Sequence, residues 1–145
     1  MDLIPIGAAA ARLQMRTSAL RYYDERGLVR PQQRHAGRRM YGPVELRRLA
    51  FLKIVHQLGL PLDTAAAVLD EPADRWRAAV RDQITHLDEV IARARDAQQF
   101  LTHAMNCPSD HPAQDCPTMM GALDRLVDGD SVAALAAEHR DDSVP

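Results

Sequence analysis

The sequence has no long hydrophobic run and contains few cysteine and aromatic residues. No apolar stretch approaches the roughly 18 to 20 residues of a membrane-spanning helix, and the first residues lack the basic region of a signal peptide. Only 2 of the 145 residues are cysteine, which excludes a secreted disulfide framework. We therefore expect a cytoplasmic protein of one or two small domains with no membrane partner.

Motifs that are typical of enzymes are also missing. The sequence contains no paired-carboxylate motif, no phosphate-binding glycine loop and no convincing catalytic triad. An enzyme that used Cys107 or His111 as nucleophile or base would have little chain left from which to build a substrate pocket. We predict that the protein is not an enzyme and has no catalytic residues.

Charge is distributed unevenly between the two halves of the chain. The net charge is −2, yet residues 1–60 hold 11 Lys and Arg against 4 Asp and Glu, whereas residues 61–145 hold 7 against 16. The first half is thus basic and the second half acidic. This division favours a nucleic-acid-binding module followed by a region that avoids nucleic acid, although ordinary charge scatter is the alternative.

Helix and turn signals predict a helix-turn-helix near the start of the chain. An alanine-rich helix is expected over residues 6–13, and a second helix is expected to be capped by Thr17 or Ser18 and to end at Gly27. Two short helices separated by about four residues have the proportions of this motif.

A basic hairpin and two further helices are expected to complete the first domain. The hairpin covers residues 33–42 with Gly37 near its tip, Pro43 opens the next helix, and a short helix follows over residues 61–69. The helix after Pro43 carries a broad apolar face formed by Leu46, Leu49, Phe51, Leu52, Val55 and Leu58.

Basic and aromatic side chains of this region form a candidate DNA-binding surface. Side chains at the start of a recognition helix reach base edges, and the planar fork of arginine matches two acceptors of guanine. Hairpin arginines would grip the DNA backbone or minor groove, and tyrosine hydroxyls can bond phosphate while their rings pack. Tyr23 has a competing role in the domain core. The predicted DNA-binding residues are Arg16, Thr17, Ser18, Arg21, Tyr22, Tyr23, Arg34, Arg38, Arg39 and Tyr41.

One long helix is predicted from about residue 73 to residue 105, because no Gly or Pro interrupts this stretch. Its apolar seam has a heptad pattern, and at 1.5 Å per residue the helix would be about 50 Å long. A narrow apolar stripe needs a partner, either the same helix of a second chain, parallel or antiparallel, or the rest of its own domain. The seam consists of Val80, Ile84, Leu87, Ile91, Ala94, Gln98, Leu101 and Met105.

Two cysteines bracket a loop directly after the long helix. Cys107 and Cys116 are each followed by proline, and His111 lies between them. Thiolate and imidazole are the ligands of zinc and other soft or borderline metals. Three interpretations stay open: a metal site with Cys107, His111 and Cys116 as ligands, a reversible disulfide that responds to oxidants or electrophiles, or cysteines that only pack. A short helix is expected over residues 117–127, followed by an alanine-rich stretch over 132–139.

In order and spacing, several of these segments resemble the N-terminal winged-helix domain of the MerR family of bacterial transcription regulators. The resemblance implies a homodimer, joined by an antiparallel coiled coil of the long helices, on a pseudo-palindromic promoter with an overlong spacer between the −35 and −10 elements. It also implies that the active dimer bends and untwists this spacer so that RNA polymerase can engage. Arg38 departs from the aromatic residue of many relatives. The resemblance covers residues 4–69 and rests on Ile6-Gly7, Leu20-Arg21-Tyr22-Tyr23-Asp24, Gly27-Leu28, residues 37–41 and residues 46–59.

The cysteine loop resembles the effector-binding loop of the metal-sensing branch of that family. Copper-type sensors there use the two loop cysteines, whereas zinc-type sensors add a loop histidine and a cysteine from the start of the partner's long helix. Cys107, His111 and Cys116 match the zinc-type spacing, which implies Zn or another soft or borderline metal, with Cu(I) as runner-up. No cysteine lies near the start of this long helix, where Asp70, Glu71, Asp74 and Trp76 stand instead.

These observations predict a mainly α protein of three parts. A winged helix-turn-helix DNA-binding domain covers residues 1–72, a dimerisation helix residues 73–106, and an effector loop with a short helix and a flexible tail residues 107–145. The predicted function is that of a homodimeric transcription regulator with three partners, namely promoter DNA, itself and RNA polymerase, switched by an effector such as a metal ion. The alternatives are a thiol redox or electrophile sensor and an architectural DNA-binding protein without effector.

Overall fold

The computed structural model describes residues 2–141, and for residues 139–141 it describes the backbone alone. The chain divides into two compact units, one up to Thr85 and one from His86 onward. Among the described helices, none combines the length and the apolar character that crossing a membrane requires. The elements are β1 (Ile4–Pro5), α1 (Ile6–Leu13), α2 (Thr17–Glu25), β2 (Gln33–His35), β3 (Arg38–Tyr41), α3 (Pro43–Gln57), α4 (Leu62–Asp70), α5 (Ala73–Asn106), α6 (Pro112–Asp115), α7 (Pro117–Val127) and α8 (Val132–Asp141).

Helices α1 and α2 form the predicted helix-turn-helix. Helix α1 ends because Gln14 adopts a left-handed conformation with φ of 52°, and its N–H bonds to the last carbonyls of the helix. Helix α2 has extended Arg16 as its N-cap and no side-chain cap. The expected capping by Thr17 or Ser18 is therefore wrong, since Thr17 is already the first helical residue. Gly27, with φ of 72°, follows α2 as expected.

The predicted hairpin is part of a three-stranded antiparallel sheet of order β1-β3-β2. Strands β2 and β3, which we call the wing, are joined by Ala36 and Gly37, both with positive φ as in a two-residue hairpin turn. Strand β1 was not foreseen. It pairs Ile4 with Tyr41 and has only two residues, too few to produce a recognisable alternation in the sequence.

The core of the first unit lies between α3, the helix-turn-helix and the sheet. Helix α3 begins at Pro43 as expected, and the Glu45 carboxylate accepts a hydrogen bond of 2.9 Å from the Gly42 N–H. The expected apolar face is correct up to Val55 but not at Leu58, which follows the helix and is 67% exposed. The fully buried larger side chains are Tyr41, Leu20, Leu49, Leu52 and Val29.

Helix α5 is continuous from Ala73 to Asn106, as the sequence predicted. It begins directly after Pro72, whose carbonyl accepts the N–H groups of Arg75 and Trp76 at 3.0 Å. No residue of α5 is buried within the single chain. Five apolar residues of the seam are exposed, with Ile84 at 55%, Leu87 at 37%, Ile91 at 47%, Leu101 at 61% and Met105 at 86%, whereas Val80 is half-buried.

The second unit contains three short helices after α5. Helix α7 has the expected bounds, whereas the one-turn helix α6 was not foreseen. Arg125 of α7 binds Glu138 of α8 through two hydrogen bonds of 2.6 and 3.0 Å and Asp130 through one of 2.7 Å. The hydrogen bonds to Glu138 first, and then to Asp130, raise the pKa of Arg125. Of the expected flexible tail, residues 140–141 belong to α8 and residues 142–145 lie outside the described residues.

Candidate nucleic-acid interface and thiol site

The start of α2 presents a polar surface to solvent. Arg16, Thr17, Ser18 and Arg21, all predicted to contact DNA, are exposed. The ring of Tyr22 is also exposed, and Arg26 holds it by donating from Nε to the Tyr22 hydroxyl at 3.1 Å. Apart from Tyr23, the residues of this segment that were predicted to contact DNA are thus accessible. Helix α2 occupies the position of the recognition helix in a helix-turn-helix and is called so below.

The wing is attached to α2 through one carboxylate. Oδ2 of Asp24 accepts a hydrogen bond of 2.6 Å from Nε of Arg39 and one of 3.2 Å from Nη2 of Arg34. The Asp24 side chain is only 12% exposed, and its hydrogen bond raises the pKa of Arg39. The guanidinium of Arg39 is therefore committed to an internal ion pair, whereas Arg38 and Arg34 are exposed.

Two of the predicted DNA-binding tyrosines lie in the core. Tyr23 is 7% exposed and Tyr41 is fully buried, and burial is the main reason that the pKa of each phenol is raised. The Tyr41 hydroxyl has no hydrogen-bond partner among the described residues. This placement corrects the expectation that Tyr23 and Tyr41 face DNA. Both rings fill the core, which for Tyr23 was the competing role expected from the sequence.

Sequence reasoning missed several residues around the recognition helix. Arg30 lines a shallow depression together with Asp24 and Arg34, beside the wing. Lys53 and His56 line a second depression with Arg16, Ser18 and Tyr22. The only signal for these residues was the basic character of the first half, because the sequence does not reveal which α3 residues lie next to α2.

The second unit brings the two cysteines together. Cys107 directly follows α5 and is half-buried, whereas Cys116 is the N-cap of α7 and is 7% exposed. The pKa of the Cys107 thiol is lowered, first by a hydrogen bond from the Ser109 backbone, then by the Ser109 side chain and the Cys116 side chain. Both are free cysteines, and their side chains interact by a hydrogen bond.

His111 is not brought into the same cluster. It is the N-cap of α6, is exposed, and uses its carbonyl to accept the N–H groups of Gln114 and Asp115 at 2.9 Å. Within residues 2–141, no three His, Cys, Asp or Glu side chains are grouped closely enough to hold a metal ion. Of the carboxylates near the start of the long helix, Asp70 binds Arg48 at 2.7 Å and Glu71 pairs with Arg75 at 3.5 Å.

Two family models match the chain. The family model described as "MerR HTH family regulatory protein" matches residues 4–72, and the one described as "MerR, DNA binding" matches residues 46–104. The transcriptional regulator HmrR of Rhizobium leguminosarum bv. viciae is 30% identical over 130 residues, 86% of this chain and 98% of HmrR. The transcriptional activator TipA of Streptomyces coelicolor is 35% identical over 105 residues, 72% of this chain but only 42% of TipA.

A third relative is named after mercury resistance. The mercuric resistance operon regulatory protein of Bacillus cereus is 27% identical over 121 residues, 77% of this chain and 91% of that protein.

Solved structures share the fold. The transcription regulator PbrR691 of Ralstonia metallidurans, solved in complex with lead(II), has a TM-score of 0.61 at 18% identity and covers 82% of this chain and 98% of its own. HiNmlR, solved bound to promoter DNA, has a TM-score of 0.53 at 19% identity and covers 72% of this chain and 88% of its own. These relatives are regulators rather than enzymes, and the chain belongs to the MerR family of helix-turn-helix, DNA-binding transcription regulators.

Proposed function

We propose that this regulator acts in the cytoplasm as a homodimer on a promoter with a long spacer, and that an ion held by Cys107 and Cys116 switches it. The contact between the two thiols is the observation that carries the switch. The homodimer, the binding to promoter DNA and the effector are each supported by a different feature of the chain.

The apolar seam of α5 supports the homodimer. Ile84, Ile91 and Leu101 are each about half exposed or more in the single chain, although they recur at heptad spacing. Leaving such a stripe in water costs roughly 25 cal/mol per Å² of apolar surface, so pairing with the same helix of a second chain is favoured. We propose an antiparallel pair, the arrangement that the family resemblance implies.

The exposed cations of the first unit support promoter binding. Arg16 at the N-cap of α2, Arg21 within α2 and Arg38 of the wing are exposed in one unit, so one protomer can contact both the major groove and a neighbouring phosphate. The structural neighbour HiNmlR was solved on promoter DNA. Two such surfaces on one dimer would bend and untwist the spacer, which lets RNA polymerase engage both promoter elements.

The thiol pair supports a soft metal ion as effector. A lowered pKa of Cys107 favours the thiolate, which is the form that binds soft metals. Zinc prefers four ligands, and His111 would have to move, with further ligands supplied from outside this loop. Two sulfur atoms alone fit a two-coordinate ion such as Cu(I), so the two thiols favour Cu(I) over zinc. Names and titles of relatives mention mercuric resistance and lead(II).

A thiol redox switch is the second candidate, and the contact between Cys107 and Cys116 favours it as well. Oxidation by a hydroperoxide would remove two electrons and two protons from the two thiols, form one disulfide and leave water and an alcohol. The third candidate is an architectural DNA-binding protein that needs no effector.

Native mass spectrometry of the reduced protein with Cu(I), Zn(II), Hg(II), Pb(II) or no metal tests the proposal. We expect a dimer that retains one ion per chain, and loss of that ion in the Cys107→Ser, Cys116→Ser double variant. His111→Gln is the matched control, because it should weaken retention of Zn(II) but leave Cu(I) bound.

The other candidates give different results. If no ion is retained but peroxide links Cys107 to Cys116 and changes promoter activity, the redox switch replaces the metal switch. If the double cysteine variant regulates a reporter promoter normally, the architectural candidate is favoured instead. A monomeric mass under all conditions contradicts the homodimer.

A further inference from the structure

Arg48 of α3 joins two segments that lie far apart in the sequence. Its guanidinium donates to the Leu28 carbonyl from Nη2 at 2.8 Å and from Nε at 3.1 Å. It also donates to both carboxylate oxygens of Asp70, at 2.7 and 2.9 Å, and to the Leu69 carbonyl at 3.5 Å. One side chain thus connects the segment after α2 with the end of α4.

The Leu28 end of this connection is fixed to the recognition helix. Leu28 is buried, and its N–H bonds to the carbonyl of Tyr23 in α2 at 2.9 Å. Its carbonyl therefore moves with the last turn of α2. Because Tyr23 lies in the core and Arg21 and Tyr22 lie on the adjoining surface, a displacement of Leu28 is a displacement of the DNA-facing residues.

The Asp70 end is fixed to the start of the long helix. Asp70 is the last residue of α4, and only Glu71 and Pro72 separate it from α5. The Pro72 carbonyl accepts the N–H groups of Arg75 and Trp76, so α5 is already formed at this point. Proline also fixes its own φ, which leaves little freedom between Asp70 and the first turn of α5.

We propose that Arg48 is a positioning residue that transmits displacements between the first turn of α5 and the recognition helix. This inference rests on the proposed function, in which a change at the long helices alters the grip on DNA. Coupling requires a physical link that both sites bias, and Arg48 provides one through hydrogen bonds at both ends. Lysine would replace it poorly, because Nη2 reaches the Leu28 carbonyl and both Asp70 oxygens while Nε adds a second bond to Leu28 and Nη1 one to Leu69, and an ammonium has no second or third nitrogen to make them.

The single tryptophan, Trp76, makes this coupling measurable without any effector. It lies in the first turn of α5, half-buried, with the Arg77 guanidinium 5.0 Å from the centre of its ring. We would add a duplex selected from a random library with the purified full chain. Labelled-DNA anisotropy then measures binding while Trp76 emission reports on the start of α5.

Wild-type protein should change its Trp76 emission on binding DNA. Arg48→Gln should bind the same duplex within about 3-fold, yet lose at least two thirds of the emission change. Arg47→Gln is the matched control, since Arg47 is the neighbouring exposed arginine, and it should respond as wild type. If Arg48→Gln does not fold, Asp70→Asn decides by the same readout, because it leaves the Leu28 bonds intact.

Three results would overturn the inference. The first is a full Trp76 response in DNA-bound Arg48→Gln or Asp70→Asn. The second is a wild-type Trp76 signal that does not change while DNA is bound. The third is loss of DNA affinity beyond 10-fold in folded Arg48→Gln and Asp70→Asn alike, which would make Arg48 an ordinary support of the fold. Failure of the proposed function gives a different result, namely no wild-type binding to any selected duplex.

Discussion

The Nε atom of Arg39 donates a 2.6 Å hydrogen bond to Oδ2 of Asp24, and this ion pair connects the wing with the recognition helix. Asp24 lies in the last turn of α2, whereas Arg39 lies 15 residues later in β3. The pair engages one of the wing arginines that were predicted to contact DNA and ties β3 to α2. It also explains why an acidic residue stands within the basic first half.

Replacing Asp24 with asparagine should destabilise the first unit more than replacing the exposed Arg34 with glutamine. The carboxylate is 12% exposed and Arg39 is 22% exposed, so breaking the pair should cost about 1 to 2 kcal/mol, between the values for exposed and buried pairs. Urea unfolding measures the change. Arg34→Gln is the control, because Arg34 is 53% exposed and should cost less than about 0.5 kcal/mol. Equal losses of stability would contradict this ranking.

Replacing Tyr41 with phenylalanine should leave stability unchanged or raise it by up to about 1 kcal/mol. The buried hydroxyl has no partner among the described residues, and a buried unsatisfied polar group is costly. DNA affinity should not change, because the ring is fully buried. Thermal unfolding and DNA titration check both statements. A fall in DNA affinity of 10-fold or more with unchanged stability would show that Tyr41 reaches the interface after all.

The wing arginines should differ in their effect on salt dependence. Arg38 is exposed, so Arg38→Gln should lower the slope of log affinity against log salt by about one for each phosphate that is no longer neutralised. Arg39→Gln should change the slope less, because the Asp24 pair already holds its guanidinium. Titrations of one duplex at several salt concentrations measure the slope, and Arg93→Gln on α5 serves as a neutral control. Similar slopes for the two wing variants would contradict the assignment.

Cys107 should be alkylated faster than an ordinary thiol below pH 9. Its pKa is lowered from 9.0, so a larger fraction is thiolate at neutral pH, and iodoacetamide reacts with the thiolate. Mass spectrometry of the metal-free reduced protein against pH gives the rates. Cys116, which is 7% exposed, should react more slowly. Ser109→Ala should shift the Cys107 profile back toward higher pH, because the Ser109 side chain is one cause of the lowered pKa.

The lowered pKa of Cys107 also determines how the stability of the fold depends on pH. Because the pKa of Cys107 is lower in the folded chain than in the unfolded chain, the thiolate stabilises the fold at pH above the ordinary thiol value. That contribution is lost as pH falls through the folded pKa. The Cys107→Ser variant should therefore be less stable than wild type at high pH, and most of this difference in stability should disappear in acid.

Sequence patterns identified the regular elements because each has a local cause. Gly27 follows α2, Pro43 opens α3, and residues 73–106 lack any residue that breaks a helix. Strand β1 and helix α6 were missed, since two and four residues carry no readable period. The division into domains at residues 72 and 106 stays a prediction, as do the full metal-ligand set and the DNA contacts.

By itself, the sequence determined the helix-turn-helix, the wing, the long helix and the position of the two cysteines, because capping residues, turns and heptad spacing act over a few residues. Only the tertiary structure decided which side chains of that set are available. Tyr23 and Tyr41 are drawn into the core, and Arg39 turns to Asp24 because a half-buried carboxylate needs a partner. It also placed Cys107 beside Cys116 without His111, since the conformation of the loop and of α6, rather than the spacing in the sequence, decides which of these side chains meet.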